Sequence, residues 1–231
     1  MFLSKLELSI RQVLVRRDLA SPYDMHKTLL SRGFDGLTKE QIGRVLFRVD
    51  TDYRSKLSVL LVQSETRPDW SKLPEGYLAS QADSKTFDPQ FHIGQKLRFR
   101  LRANPTKRVA AKNERLGSVM LGKRVGLTTE TEQIKWLLHK AEGGFTLPGG
   151  WVPAKHPETE EPILLPNFRV DVVPEGRIRN GKVGHREGAF IAIRFEGVLN
   201  VADPVAFRTI LENGIGTAKG YGFGLLSVAP A

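Results

Sequence analysis

Tyr23 and His26 stand three residues apart, directly after Ser21-Pro22, a helix-start signature, so their side chains share a face of the first helical turns. Backbone N–H groups at such an end are unpaired and carry partial positive charge, which suits an anion. Imidazole titrates near pH ~6.5 and moves protons at neutrality. Beside a phenol and a bound phosphodiester it supplies the groups that phosphodiester cleavage needs. A Tyr-x-x-His pair is also a common half-buried surface pair, and spacing does not separate the two readings. The other histidines, His92, His139, His156 and His185, lack metal-ligand spacing. Asp50-x-Asp52 and Glu158 to Glu161 are the acidic clusters that bear on a divalent ion, and both read as solvated turns. The absence of cysteine excludes thiol catalysis, disulfides and cysteine-held zinc or iron–sulfur centres. No metal and no cofactor are expected.

A second constellation runs Gly214-Ile215-Gly216-Thr217-Ala218-Lys219-Gly220-Tyr221-Gly222-Phe223-Gly224. It lacks the Gly-Lys-Ser/Thr of a P-loop. It also follows a helix and leads into a strand, the reverse of a dinucleotide fingerprint. Gly214, Gly216, Gly222 and Gly224 allow a backbone to approach a phosphate chain, with Lys219 as counter-charge. They fit a structural connection that needs positive φ equally well.

The third constellation is charge. The 231 residues include 35 Lys+Arg against 25 Asp+Glu, a net +10 that favours polyanionic partners, usually nucleic acid. Between Gly94 and Arg124, ten basic residues stand against the single acid Glu114. Arg98, Arg100 and Arg102 alternate with Leu97, Phe99 and Leu101, which predicts a strand with one apolar and one basic face. Lys107, Arg108, Lys112 and Arg115 follow. Arg177, Arg179 and Lys182 surround Asn180-Gly181, a strong hairpin signal, and make a basic tip that could enter a nucleic-acid groove. A charged edge that blocks sheet-to-sheet pairing accounts for the tip as well. The strand face is harder to explain that way.

These residues need elements to hold them. Residues 2–10 alternate as a strand, and a helix follows from Ser21 to Gly33. Thr38 with Gln41 caps a shorter helix, Val45–Asp50 and Ser58–Gln63 read as strands, and a last strand lies within Tyr77–Phe87. After a linker at Phe87 to Gly94 the order repeats: the basic strand, a helix capped by Thr129 with Glu132, strands at Phe168–Val173 and Ala189–Val201, a helix opened by Asp203-Pro204, and a terminal strand at Phe223–Val228. Residues 145–166 carry no clear pattern. The prediction is α+β: tandem ferredoxin-like (RRM-like) domains with antiparallel sheets, over 1–86 and 95–231. The longest apolar run, Ala189 to Ile193, is too short for a bilayer span, and the N-terminus shows no signal-peptide core. A cytoplasmic, soluble protein with no membrane partner is expected.

Taken in order, Ser4-Lys5, Arg17-Asp18-Leu19 leading to Tyr23-x-x-His26, Leu97-Arg98-Phe99-Arg100-Leu101-Arg102-Ala103-Asn104-Pro105, Phe195-Glu196-Gly197 and the glycine segment through Leu225-Leu226-Ser227 resemble the CasE family. These are the CRISPR RNA-processing endoribonucleases of subtype I-E Cascade. The resemblance implies metal-independent cleavage at the 3′ base of a CRISPR repeat stem-loop RNA by 2′-hydroxyl attack, leaving a 5′-hydroxyl and a 2′,3′-cyclic phosphate. It implies Tyr23 and His26 as the catalytic pair. It also implies retention on the processed RNA beside other Cascade subunits. A non-catalytic RNA-binding subunit on the same fold fits the basic strand and glycine loop equally; only Tyr23, His26 and the family likeness favour the enzyme.

Overall fold

The computed structural model describes residues 1–52, 57–109, 111–113, 118–120, 122, 124–183 and 186–231. Its first half opens with strand β1 (Phe2–Leu8), whose Ser4, Leu6 and Leu8 are buried in alternation. The strand stops two residues sooner than its pattern suggests, and Ile10 is 49% exposed. Helix α1 (Val13–Ala20) has no counterpart in the sequence reading, because its N-cap is Gln12 rather than one of the residues that signal a helix start. Helix α2 (Pro22–Gly33) begins where expected: Ser21 Oγ accepts a hydrogen bond from the Asp24 amide at 3.3 Å. Thr38 and Gln41 close a reciprocal capping box on α3 (Lys39–Ile42).

Strands β2 (Val45–Asp52), β3 (Leu57–Ser64) and β4 (Asp83–Thr86) complete a sheet of order β2-β3-β1-β4, every neighbouring pair antiparallel. That is the split-βαβ order, with a 3-10 turn at Trp70–Lys72 in place of the second crossover helix. Leu6, Met25, Leu29, Leu60 and Trp70 fill the core between this sheet and α2.

The second half repeats the plan. Its strands are β5 (Lys96–Ala103), β6 (Val170–Val183), β7 (Arg186–Val201) and β8 (Leu226–Pro230), with helices α4 (Glu130–Ala141) and α5 (Pro204–Asn213). β7 pairs β5 on one edge and β6 on the other, while β8 lies on the far side of β5, again all antiparallel. Leu97, Phe99 and Leu101 enter the core with Leu137, Phe195 and Phe207. β6 and β7 run well beyond the predicted strands. Asn180 pairs with Gly188 and Val183 with Arg186, so Asn180-Gly181 marks a register shift inside the ribbon, not its turn. The unassigned region forms a separate antiparallel ribbon, Gly149–Lys155 with Pro162–Phe168. No helix among the described residues is long and apolar enough to cross a membrane.

One buried cation joins the two sheets. Arg48 on β2 is 3% exposed; it donates to both carboxylate oxygens of Asp50 at 2.8 and 2.9 Å, to Ser227 Oγ at 3.0 Å and to the Arg100 carbonyl at 3.3 Å. The side of β2 carrying Leu46, Arg48 and Asp50 is therefore turned to the second sheet. Removing Arg48 would leave the Ser227 hydroxyl and the Arg100 carbonyl without this donor and Asp50 with the longer Arg100 contact alone. Arg48→Ala should lower unfolding stability by roughly 3 kcal/mol in urea titrations, and Arg48→Met by less. An unchanged midpoint in both variants would deny the cation that joining role.

Candidate functional site

The Tyr23/His26 face of α2 does not stand open to solvent on all sides. The loop after α5 crosses it, through a short 3-10 turn at Lys219–Tyr221. Gly214, Gly216, Gly222 and Gly224 all adopt positive φ, between 69° and 89°. A methyl group on Gly222 would sit 3.1 Å from Phe47 Cε2, and one on Gly220 would sit 3.3 Å from His26 Nε2. The loop fastens on itself through the Ile215 amide, which donates to the Gly224 carbonyl at 2.9 Å. The positive-φ connection is thus realised, and the glycines bring this backbone onto the histidine. Lys219 points elsewhere: its ammonium donates to the Asn213 carbonyl at 2.6 Å, neutralising the end of α5.

His26 is packed by two aromatic neighbourhoods. Its ring lies nearly parallel to Phe47, with centroids 6.0 Å apart at 15°. Tyr23, 42% exposed, has the Tyr221 ring 6.4 Å away, and Tyr221 in turn meets Phe190 of β7 at 4.8 Å. His26 Nδ1 is buried without a hydrogen-bond partner. Burial alone holds the imidazole below its ordinary titration range, because no neighbouring anion offsets the loss of solvent.

Beside this face lies a cleft of about 980 Å³ between the two halves, lined by Met25, Phe47, Asp50, Arg100, Arg102 and Arg177, among others. The basic face of β5 turns into it, but not as bare charge. Arg102 bonds Glu175 at 2.6 Å and lies over the Phe223 ring. Arg100 pairs with Glu196 and, at 3.6 Å, with Asp50. Arg194 bridges Glu175 and Glu196 at 3.0 and 2.6 Å. Among the predicted cations, Arg98 donates to the Pro230 carbonyl at 3.0 Å, and Lys107 is held by Glu132 at 2.7 Å. Arg108 is exposed on a ribbon that pairs Thr106–Arg108 with Arg124–Gly126. The side chains of Lys112, Arg115, Arg179 and Lys182 lie outside the described residues.

The structure therefore joins two constellations that the sequence kept apart, the Tyr23/His26 pair and the glycine loop, and puts Arg100, Arg102 and Arg177 next to them. Phe47, Gly220, Tyr221 and Arg194 were missed. Tyr221 sits inside the glycine run, where an aromatic residue among glycines was the available signal; Phe47 shows nothing beyond a strand position. Below α2, the buried Asp18 carboxylate accepts from the Tyr77 hydroxyl at 2.7 Å and from Arg17, which also reaches Thr28, fixing α1 against α2. Among the described residues no group of three or more His, Asp and Glu forms a metal site.

Two ferredoxin-like sheets facing each other across an arginine-lined cleft, with a half-buried histidine under a glycine-rich loop, define an α+β protein of the tandem ferredoxin-like class. Comparison with known proteins narrows this. Residues 1–230 match the family described as CRISPR associated protein, and the chain belongs to that family. It is 41% identical over 238 residues to the CRISPR-associated endoribonuclease Cse3 of Thermus thermophilus, covering all of both chains. It is 35% identical over 155 residues to the CRISPR system Cascade subunit CasE of Escherichia coli, covering 66% of this chain and 67% of that one. The solved structure of Thermus thermophilus Cse3 bound to an RNA representing a pre-cleavage complex superposes with a TM-score of 0.77 at 38% identity, over 99% of this chain and 98% of that one.

The burial of His26 has a measurable sign. Its folded value lies below its unfolded value, so its contribution to stability is present above about pH 6.5 and is lost as pH falls through the depressed folded value. His26→Gln, which has no titration, should shrink the fall in melting temperature between pH about 7.5 and about 5. A proton NMR titration of the imidazole should find its midpoint below about 6.5. A midpoint above that value would contradict the burial.

Proposed function

We propose that this chain is an endoribonuclease that cuts a CRISPR repeat RNA at the 3′ base of its stem-loop and stays on the product as a Cascade subunit. Residues 1–86 form the domain that carries Tyr23 and His26, and residues 95–231 the domain that carries the basic strand, the β6–β7 ribbon and the glycine loop. The observation that carries the reading is the contact of that loop with His26. It brings a backbone able to lie close to a phosphate against an imidazole whose Nδ1 has no hydrogen-bond partner among the described residues. The named activity of the Thermus thermophilus relative and the Cascade membership of the Escherichia coli relative support it.

The chemistry uses the substrate's own nucleophile. The 2′-hydroxyl upstream of the cut gives up its proton to solvent water and attacks the adjacent phosphorus, the new O2′–P bond forms, and the P–O5′ bond breaks. The products are a 2′,3′-cyclic phosphate and a 5′-oxygen that takes a proton. His26 delivers that proton through Nε2, the ring edge beside Gly220, while Tyr23 orients the phosphate or the attacking hydroxyl. The free chain holds the imidazole neutral by burial; an arriving phosphodiester favours the imidazolium, which is the acid the leaving oxygen requires. No metal takes part in these steps. Arg100, Arg102 and Arg177 meet the RNA backbone from the cleft, with Arg98, Arg108, Arg179 and Lys182 extending the contact along the stem.

Cleavage of a repeat RNA should proceed at full rate in EDTA, and a single 2′-deoxy nucleotide upstream of the cut should block it while leaving binding intact. His26→Ala should slow cleavage by about 10² to 10⁴. It should lose much less on a substrate whose 5′ leaving oxygen is replaced by sulfur, since a thiolate leaves without a proton. Tyr23→Phe should have the smaller effect. Wild-type rates from His26→Ala, or cutting of the 2′-deoxy substrate, would leave an RNA-binding subunit without catalysis.

A further inference from the structure

The large cleft is one of two hollows that share Tyr221. The second, about 590 Å³, shares Arg177 with the cleft as well and falls within the roughly 300 to 1,000 Å³ typical of small-molecule sites. Phe190 and Tyr221 form one wall, and Arg124, Arg177 and Thr217 stand around it. Its character differs from the cleft's. There, Arg100, Arg102 and Arg194 are matched by carboxylates. Here Arg124, and Arg177, which stands between the two hollows and lines both, are in no ion pair among the described residues. The Phe190 and Tyr221 centroids are 4.8 Å apart, so the rings touch and leave no slot between them; they form a continuous aromatic surface, backed by Phe223 at 5.8 Å from Phe190. At the rim, Ala218 holds φ 62° and ψ 31°, a left-handed conformation that is strained for a residue with a Cβ. That strain is maintained where the pocket meets the loop contacting His26.

An aromatic surface with unmatched arginines beside it suits a base and its phosphate. Resting on the functional reading above, the identity of the nucleotide follows. The nucleotide upstream of the cut is paired in the stem and its base is not available; the one downstream is unpaired. Tyr221 links this pocket to the Tyr23 side of the site, so an occupant here lies one side chain away from the reacting phosphate. We propose that the pocket walled by Phe190 and Tyr221 takes the first nucleotide 3′ of the scissile bond, its base against the aromatic surface and its 3′ phosphate beside Arg124 and Arg177. This makes the pocket a positioning site for the leaving strand, which aligns the P–O5′ bond with His26 and is vacated after the cut.

The test uses the full chain and a repeat RNA made uncleavable by a 2′-deoxy nucleotide upstream of the cut. With 2-aminopurine as the first nucleotide 3′ of that position, wild-type protein should quench its fluorescence severalfold, and Phe190→Leu should restore most of it. Replacing the same nucleotide by an abasic one should weaken binding to wild type by about fivefold or more, the scale of one base stacked on an aromatic side chain. RNA ending at the cut should bind Phe190→Leu and wild type alike. Unchanged fluorescence on wild-type binding, or equal affinity for the abasic and intact RNAs, would overturn the assignment; the abasic comparison needs no altered protein, so it decides even where Phe190→Leu fails to fold. Failure of wild type to bind or cut any repeat RNA would instead sink the functional reading, whereas normal cutting with no effect of the abasic nucleotide removes the pocket alone.

Discussion

Where the loop after α5 crosses the first half of the chain, there is almost no room for side chains. A methyl group on Gly214 would lie 2.7 Å from both the Gly224 carbonyl oxygen and Leu46 Cδ1, and one on Gly216 would lie 2.9 Å from the Trp136 ring. The same loop passes Phe47 at Gly222 and His26 at Gly220, shortly before it turns into β8. The constraint is therefore double. The backbone must fold on itself with positive φ, and it must do so in contact with β2 and α2. Neither half can be remodelled alone, since the site consists of a side chain from one and a backbone from the other.

Charge makes the second joint, and it works differently from what the alternation of β5 suggests. Arg48, Arg100, Arg102 and Arg194 form a chain with Asp50, Glu175 and Glu196, in which each carboxylate bridges two guanidinium groups. Such a network orients the arginines and lowers the repulsion between them, while one positive charge remains in excess. The cleft thus stays attractive to a polyanion and keeps its walls in one geometry. Much of the basic character of β5 is internal to this joint, and the cations outside it, Arg108, Arg124 and Arg177, stand nearer to solvent.

The elements legible in the sequence were those whose signals are local. Ser21-Pro22, Thr129 with Glu132, and Asp203-Pro204 start helices by side-chain oxygens that accept a nearby amide, and a cap needs nothing beyond its own turn. The alternation in β5 is local in the same sense. Glu175 and Glu196 are far from Arg100 and Arg102 in sequence, so the pairing that tempers the strand's charge could not be read from it. Asn180-Gly181 carried a local turn signal, yet the ladder continues past it to Val183 and Arg186, because pairing between the strands outweighs one dipeptide's preference. For Lys219, composition suggested an ion for phosphate; the last carbonyls of α5, which only the fold brings within reach, took it instead.

The position of His26 shows why the two joints matter together. An imidazole on an exposed helix turn would titrate near its ordinary value and would exchange protons with water at any moment. Here Phe47 covers one face and Gly220 one edge, and Nδ1 has no partner, so the neutral form is favoured until something anionic arrives. A residue larger than glycine at 220 would place its Cβ 3.3 Å from Nε2, against that ring edge, while Gly220 itself does not line the arginine cleft.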